Sequence, residues 1–188
     1  MDAINSQGED VPAAARRHRV VIIGSGFGGL TAAQQLEDAD VDVTLVAMTG
    51  HHLFQPLLYQ VATGILSVGE IAPSTRLVLR DQKNVTVTLG EVDQIDVAAR
   101  TVHAQAGHVD FTLEYDSLIV AAGANQSYFG NDHFERWAPG MKTIDDALEL
   151  RGRILGSFEL AELTEDPEER RKLLTFVVVG GGPTGVEM

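Results

Sequence analysis

Twice in this chain an apolar run of strand character leads straight into glycines spaced Gly-x-Gly-x-x-Gly: residues 20–23 run into Gly24, Gly26 and Gly29, and residues 176–179 into Gly180, Gly182 and Gly185. A strand that must turn at once into a helix needs glycine at the tight turn, where a phosphate nears the backbone, and where helix and strand pack closely. Such spacing arises by chance often enough to be weak alone, and the context strengthens it. After the first loop come a helical stretch, "LTAAQQLEDA", and a second apolar run, "VDVTLV", which together make a βαβ unit of about thirty residues. The helix opened there offers unpaired N–H groups and a partial positive charge to phosphates.

The next stretch, "HHLFQPLLYQVATGILSVGE", is apolar without a clean period and holds Pro56, Gly64 and Gly69. It reads as a buried irregular segment with short helical pieces, lining something rather than building the sheet. "APSTRLVLR" predicts a helix opening at Pro73 or Ser74. Alternating runs over 84–97, 100–105 and 109–116 predict one further sheet strand and then a small antiparallel meander. "SLIVAAGA" has the continuous apolar character of a buried parallel strand. Thr143 with Asp146 three residues on forms a capping box for a long helix, and "TEDPEERRKL" is a charged connector with a helix start at Pro167. The second glycine loop then repeats the first. Two dinucleotide units suggest two dinucleotides, one resident and one visiting, which is how a flavoprotein takes hydride from a nicotinamide.

Composition removes other classes. A net charge of −13 repels a nucleic-acid backbone, and the basic cluster Arg16, Arg17, His18 and Arg19 reads as a solvated strand entry rather than a binding patch. No apolar run approaches the roughly 18 residues of a membrane span, and the first fifteen residues have no signal-peptide core. With no cysteine there is no disulfide, thiolate metal site or catalytic thiol. The six histidines are scattered, except for His51 and His52, which point to opposite faces in an extended segment; no metal site is expected, and hydrogen bonding is their expected role.

One expected part is missing. A dinucleotide fold places Asp or Glu at the end of its second strand to hold the adenosine ribose, and here that position is Ala47. The ribose is then held by Thr49, by backbone groups, or less firmly.

With "GSGFGG", "HHLFQPLLYQVATG", "YDSLIVAAGA" and "VVGGGPTGVE" in order, the chain after about Arg16 resembles the first part of the type II NADH dehydrogenases, the non-proton-pumping NADH:quinone oxidoreductases, especially actinobacterial ones. The specific element is "HLFQPLLYQVATG"; the glycine loops and "AAGA" are shared by the wider two-dinucleotide flavoprotein superfamily. The resemblance implies an α/β architecture: a Rossmann-like FAD-binding domain, with a parallel sheet and a small antiparallel meander, followed by the start of a second Rossmann-like, NADH-binding domain. It implies an FAD-binding domain at 16–142, incomplete, a helical connector at 143–173, and the first strand and glycine loop of the NADH-binding domain at 174–188; residues 1–15, before the resemblance begins, are expected to form a disordered tail.

By the same resemblance Gly24, Gly26, Phe27, Gly28 and Gly29 lie on the FAD pyrophosphate, Val92 lies near the adenine, and Ala122 and Gly123 pass close to the FAD. Phe54, Gln55, Pro56 and Leu57 border the isoalloxazine and the way to quinone. Gly180, Gly182 and Gly185 receive the NADH pyrophosphate. Glu187 matches a glutamate near nicotinamide and flavin, where a carboxylate orients the nicotinamide or tunes electron passage; the alternative is a helix N-terminal Glu favoured by the macrodipole alone.

The implied activity passes two electrons from NADH through FAD to a membrane quinone. Other readings are a ferredoxin-reductase type enzyme and a non-catalytic flavin-binding fragment. Members of the family are more than twice as long, so the sequence reads as truncated and inactive alone, with a last helix too short to close a hydrogen-bonded turn. Membrane contact is expected only through the missing C-terminal part. The implied location is cytoplasmic, with the full-length enzyme peripheral on the cytoplasmic face of the inner membrane and compatible with a homodimer.

Overall fold

The computed structural model describes residues 16–188, so the tail expected at 1–15 lies outside the described residues. β1 (His18–Ile23) and β2 (Val41–Ala47) run parallel and are joined by α1 (Phe27–Gln35). Four consecutive residues of β1, Val20, Val21, Ile22 and Ile23, are buried because both faces of the strand are covered. Val20 and Ile22 pack with Leu30 and Ala33 of α1 and with Val43 and Leu45 of β2.

Between β2 and the next strand lie three single turns of helix, α2 (Leu58–Ala62), α3 (Val68–Ile71) and α4 (Thr75–Val78). β3 (Val85–Leu89) then pairs parallel to β2. β4 (Glu91–Asp96), β5 (Thr101–Ala106) and β6 (Val109–Glu114) form the expected antiparallel meander. Val102 and Ala104 of the meander, with Tyr115, cover the other face of β1 at Val21 and Ile23. β7 (Ser117–Val120) returns parallel to β1, giving the sheet order β3-β2-β1-β7. The C-terminal end of α1 carries no basic residue, and side chains from the approach to β3 bond carbonyls of its last turn and of the turn that follows: Gln82 donates to Ala33 (2.8 Å), and Asn84 donates to Leu36 (2.8 Å) and Ala39 (3.2 Å).

α5 (Ile144–Leu163) opens with the predicted capping box, Asp146 N–H donating to Thr143 Oγ1 at 3.2 Å and Thr143 N–H to Asp146 Oδ2 at 2.8 Å. It packs on α2 through Ala147, beside Leu58, Val61, Ala62 and Ile71. α6 (Pro167–Leu173) starts at Pro167 as expected, capped by Asp166.

Four expectations need correction. β7 is an edge strand, with no described strand pairing on its far side, so Val120 stays 62% exposed instead of buried. The segment 51–70 is only partly buried: α2 faces inward, while Phe54 and Ile65 face out. Residues 176–179 form no strand, because among the described residues no neighbour offers them a ladder, and Val177 and Val179 are more than four-fifths exposed. The final helix does close: in α7 (Pro183–Glu187), Val186 N–H donates to Gly182 (3.1 Å) and Met188 N–H to Thr184 (3.1 Å). Pro183 pre-sets the first turn, and Met188 packs against the α2–α5 cluster.

The basic cluster is tied down, as a strand entry should be. Arg17 pairs with Asp40 and Asp42, His18 bonds Ser117, and Arg19 pairs with Glu114. Arg16 forks onto both oxygens of Asp116 at 2.8 Å, and Asp116 also accepts from Arg19 N–H at 2.8 Å. These donors, the Arg16 guanidinium first and the Arg19 amide second, hold the Asp116 carboxyl far below its ordinary 3.8. A carboxyl depressed on folding stabilises the fold above its unfolded value, and that contribution is lost as pH falls toward the folded one. Asp116→Asn is therefore expected to lower the melting temperature at pH 7 and to flatten its decline from about pH 5 downward. Melting curves against pH check this, and superimposable profiles for the two proteins would remove Asp116 as the cause.

Candidate functional site

The site is built at the C-terminal ends of β1, β2 and β7. Gly24 takes φ +103°, and a Cβ there would strike the Ala121 carbonyl. Its N–H donates to Val46 (2.8 Å) while Ala121 N–H donates to Ile23 (2.8 Å), so the loop is threaded between the ends of β2 and β7. A Cβ on Gly29 would collide with the Gly24 carbonyl oxygen. Gly24 and Gly29 are thus glycine because the fold leaves no room.

Gly26 and Gly28 are different. A Cβ on Gly26 would meet nothing within 4 Å, and one on Gly28 only the Ala121 methyl at an ordinary 3.6 Å. Both are exposed. Packing does not require glycine at either position, whereas a ligand approaching the backbone from outside does. The N-cap of α1 is Gly26, with no side-chain cap and no acid in the first turn, so the first amides and the positive end of the helix are offered outward. That donor set fits an anionic diphosphate.

The second loop repeats this geometry without a sheet to impose it. Gly180 takes φ +119°, a Cβ on Gly185 would strike the Gly180 carbonyl, and the N-cap glycines match, Gly26 at φ −70°, ψ −170° and Gly182 at φ −74°, ψ 175°. Glu187 is exposed at the last position of α7, outside the first turn, so the helix dipole does not account for it.

An aromatic wall stands beside the first loop. Phe27 packs edge-on to His52 (5.2 Å) and Phe54 (5.5 Å). Buried His52 donates from Nδ1 to the Ser25 carbonyl (2.8 Å), and Ser25 Oγ donates to the His51 carbonyl (3.2 Å), which stitches segment 51–54 to the loop. Gln55 and Pro56 follow in a 3₁₀ turn with Leu57, which packs into the α2 cluster; Gln55 Oε1 accepts from Lys142 Nζ at 3.3 Å. Ser25, His52 and Lys142 were not singled out from the sequence as parts of a site. Ala122 and Gly123, the latter at φ +74°, continue outward from the residue that covers Gly24.

The remaining candidates gather at the end of β2. Ala47 is buried among Val20, Ile22, Leu30 and Ala33, and its carbonyl accepts from Gly90 N–H at 2.9 Å. Thr49 Oγ1 donates to the His51 carbonyl at 3.3 Å. Val92, half-buried at the start of β4, packs against Val21, Ile23 and Val46. Among the described residues no cluster of three or more acids or histidines could hold a metal ion, and no helix is long and apolar enough to cross a membrane.

Residues 18–188 match the family described as pyridine nucleotide-disulphide oxidoreductase. The chain is 67% identical over 186 residues to the type II NADH:quinone oxidoreductase Ndh of Mycobacterium tuberculosis, covering 98% of this chain and 40% of that protein. It is 70% identical over 172 residues to NdhA of the same organism, covering 92% of this chain and 37% of that one. It thus spans about 40% of the length of these two relatives. Among solved structures, NDH2 from Plasmodium falciparum in complex with RYL-552 superposes with a TM-score of 0.82 at 33% identity, covering 92% of this chain and 36% of that one. The same enzyme in complex with NADH gives 0.73 at 29% identity, covering 84% and 32%.

Proposed function

The chain belongs to the pyridine nucleotide-disulphide oxidoreductase family, and on that premise we propose that it forms the FAD-binding part, and the entrance to the NADH-binding part, of a type II NADH:quinone oxidoreductase. Residues 16–142 make the FAD-binding unit, 143–173 the helical connector, and 174–188 the opening of the NADH-binding unit. The chemistry FAD supplies when bound is acceptance of a hydride and release of two electrons to a quinone.

The chain's own residues bind and orient. Gly26 and Gly28 let the FAD diphosphate reach the uncapped amides of α1, while Gly24 and Gly29 hold the loop in shape for it. Phe27, His52 and Phe54 fix the segment 54–57 against this loop, and the Lys142–Gln55 bond ties that segment to the start of α5. Ala122 and Gly123 present small residues to the cofactor's flank. Gly180, Gly182 and Gly185 receive the NADH diphosphate in a loop of the same shape, and Glu187 orients the nicotinamide. Work at a membrane surface, where quinone resides, belongs to the same reading.

The observation that carries it is the open space at Gly26 above an uncapped helix. Gly26→Val is expected to lower the melting temperature of the unliganded protein only slightly, by the N-cap preference it gives up, since a Cβ there meets no protein atom within 4 Å, and to weaken FAD binding by about 100-fold through loss of charge-assisted contacts. Calorimetric titration with FAD decides. Equal affinity of variant and wild type would mean the loop is not a phosphate cradle.

A further inference from the structure

Position 47 lacks the acid that holds an adenosine ribose, and we propose that Glu91, the first residue of β4, two positions past the end of the neighbouring strand β3, takes that ribose instead. The inference rests on reading the first glycine loop as the FAD site.

β2 and β3 are in register with Ala47 opposite Leu89, and Gly90 N–H donates to the Ala47 carbonyl at 2.9 Å. That bond carries the pairing one residue past β3 and sets Glu91 immediately beside the end of β2. Gly90 is pressed against the core, since a Cβ there would run into the Phe111 ring and approach Val46, and Val92 also packs inward. Alternation along the strand turns Glu91 to the other side. There it lines an open groove of about 200 Å³ with Met48, Leu89, Gly90, Gln105 and Gly107.

The groove lies at the C-terminal ends of the parallel strands, the same end of the sheet at which α1 presents its first amides. A diphosphate seated on α1 therefore sends its adenosine across the end of β2 toward this groove, as dinucleotide folds do. Met48 and Leu89 are exposed hydrophobics on its wall and give an adenine ring apolar contact. The Glu91 carboxylate accepts from the ribose hydroxyls. Among the described residues no hydrogen-bond donor occupies it, and the Gln105 amide opposite is turned to Asp110 (3.0 Å). Thr49, the other side chain near this end, already directs its hydroxyl proton to the His51 carbonyl.

The test titrates the full 188-residue chain with FAD, ADP and 2′-deoxy-ADP. Wild type is expected to bind ADP about tenfold more tightly than its 2′-deoxy form, the size of one hydrogen bond to a charged group. Glu91→Ala, at an exposed position and so close to neutral for folding, removes the acceptor and is expected to bind FAD and ADP about tenfold less tightly and to lose the preference. Glu91→Gln, which keeps one acceptor, should retain part of it. If Glu91→Ala keeps wild-type affinity and preference while Gly26→Val does not bind, the proposal for Glu91 is overturned and the reading of the loop stands. If Glu91→Ala weakens ADP and 2′-deoxy-ADP equally, Glu91 does not touch the ribose and the proposal is overturned as well. If wild type binds neither FAD nor ADP, both fall.

Discussion

Gly29→Ala is expected to destabilise the protein by about 4 kcal/mol or more, a large part of what holds a domain of this size together. Helix propensity points the other way. Gly29 lies inside α1, where alanine should help by up to about 1 kcal/mol. Sterics decide, because the added Cβ would overlap the Gly24 carbonyl and crowd the Ile22 side chain. Relief requires either lifting α1 off β1 or breaking the loop, and both open the cluster in which Leu30 and Ala33 pack against Val20 and Ile22. One residue earlier the sign reverses. A Cβ at Gly28 makes only an ordinary contact with Ala121, so Gly28→Ala should be neutral or stabilising by a few tenths to about 1 kcal/mol. Urea unfolding of the two variants in parallel separates them. If Gly28→Ala falls as far as Gly29→Ala, the collision with Gly24 is not the reason for glycine at 29.

This pair also shows how far the sequence could be read. Glycine spacing encodes backbone geometry over six residues, and the second loop adopts the shape of the first although among the described residues no strand lies beside 176–179. The βαβ unit, the meander and the α5 capping box were legible for the same reason, since each rests on local periodicity or on residues three apart. A strand is a property of pairs, so neither the unpaired state of 176–179 nor the exposed edge of β7 was written in their apolar character.

The parts of the site that escaped notice are joined across the chain. His52 meets Ser25 over 27 positions, and Lys142 meets Gln55 over 87. Glu91 carries no local signal, since the acid of a dinucleotide fold stands at the end of the second strand, and only the register of β2 with β3 brings position 91 near Ala47.

Leu58→Ala is expected to cost about 2–5 kcal/mol, and to do so locally. Leu58 is 1% exposed in a cluster with Val61, Ala62, Ile71 and Ala147, to which Leu53, Leu66, Met141, Leu150 and Met188 add partial cover. None of these belongs to the two clusters that seal the sheet. The helix pair α2 and α5 therefore rests on its own apolar contacts, whereas segment 53–57 is held from two sides, by Leu53 and Leu57 in that cluster and by the Phe27, His52 and Phe54 contacts to the first glycine loop. Truncation leaves a cavity that the five-residue α2 cannot close without moving, because Leu57 and Val61 are already committed to the same cluster. Hydrogen exchange should accordingly quicken in α2 and in the first turns of α5 well before it does in β1 and β2. Leu58→Met keeps the volume and should cost less than about 1.5 kcal/mol. Exchange that accelerates equally in β1 and α2 would show that this cluster and the sheet unfold as one unit.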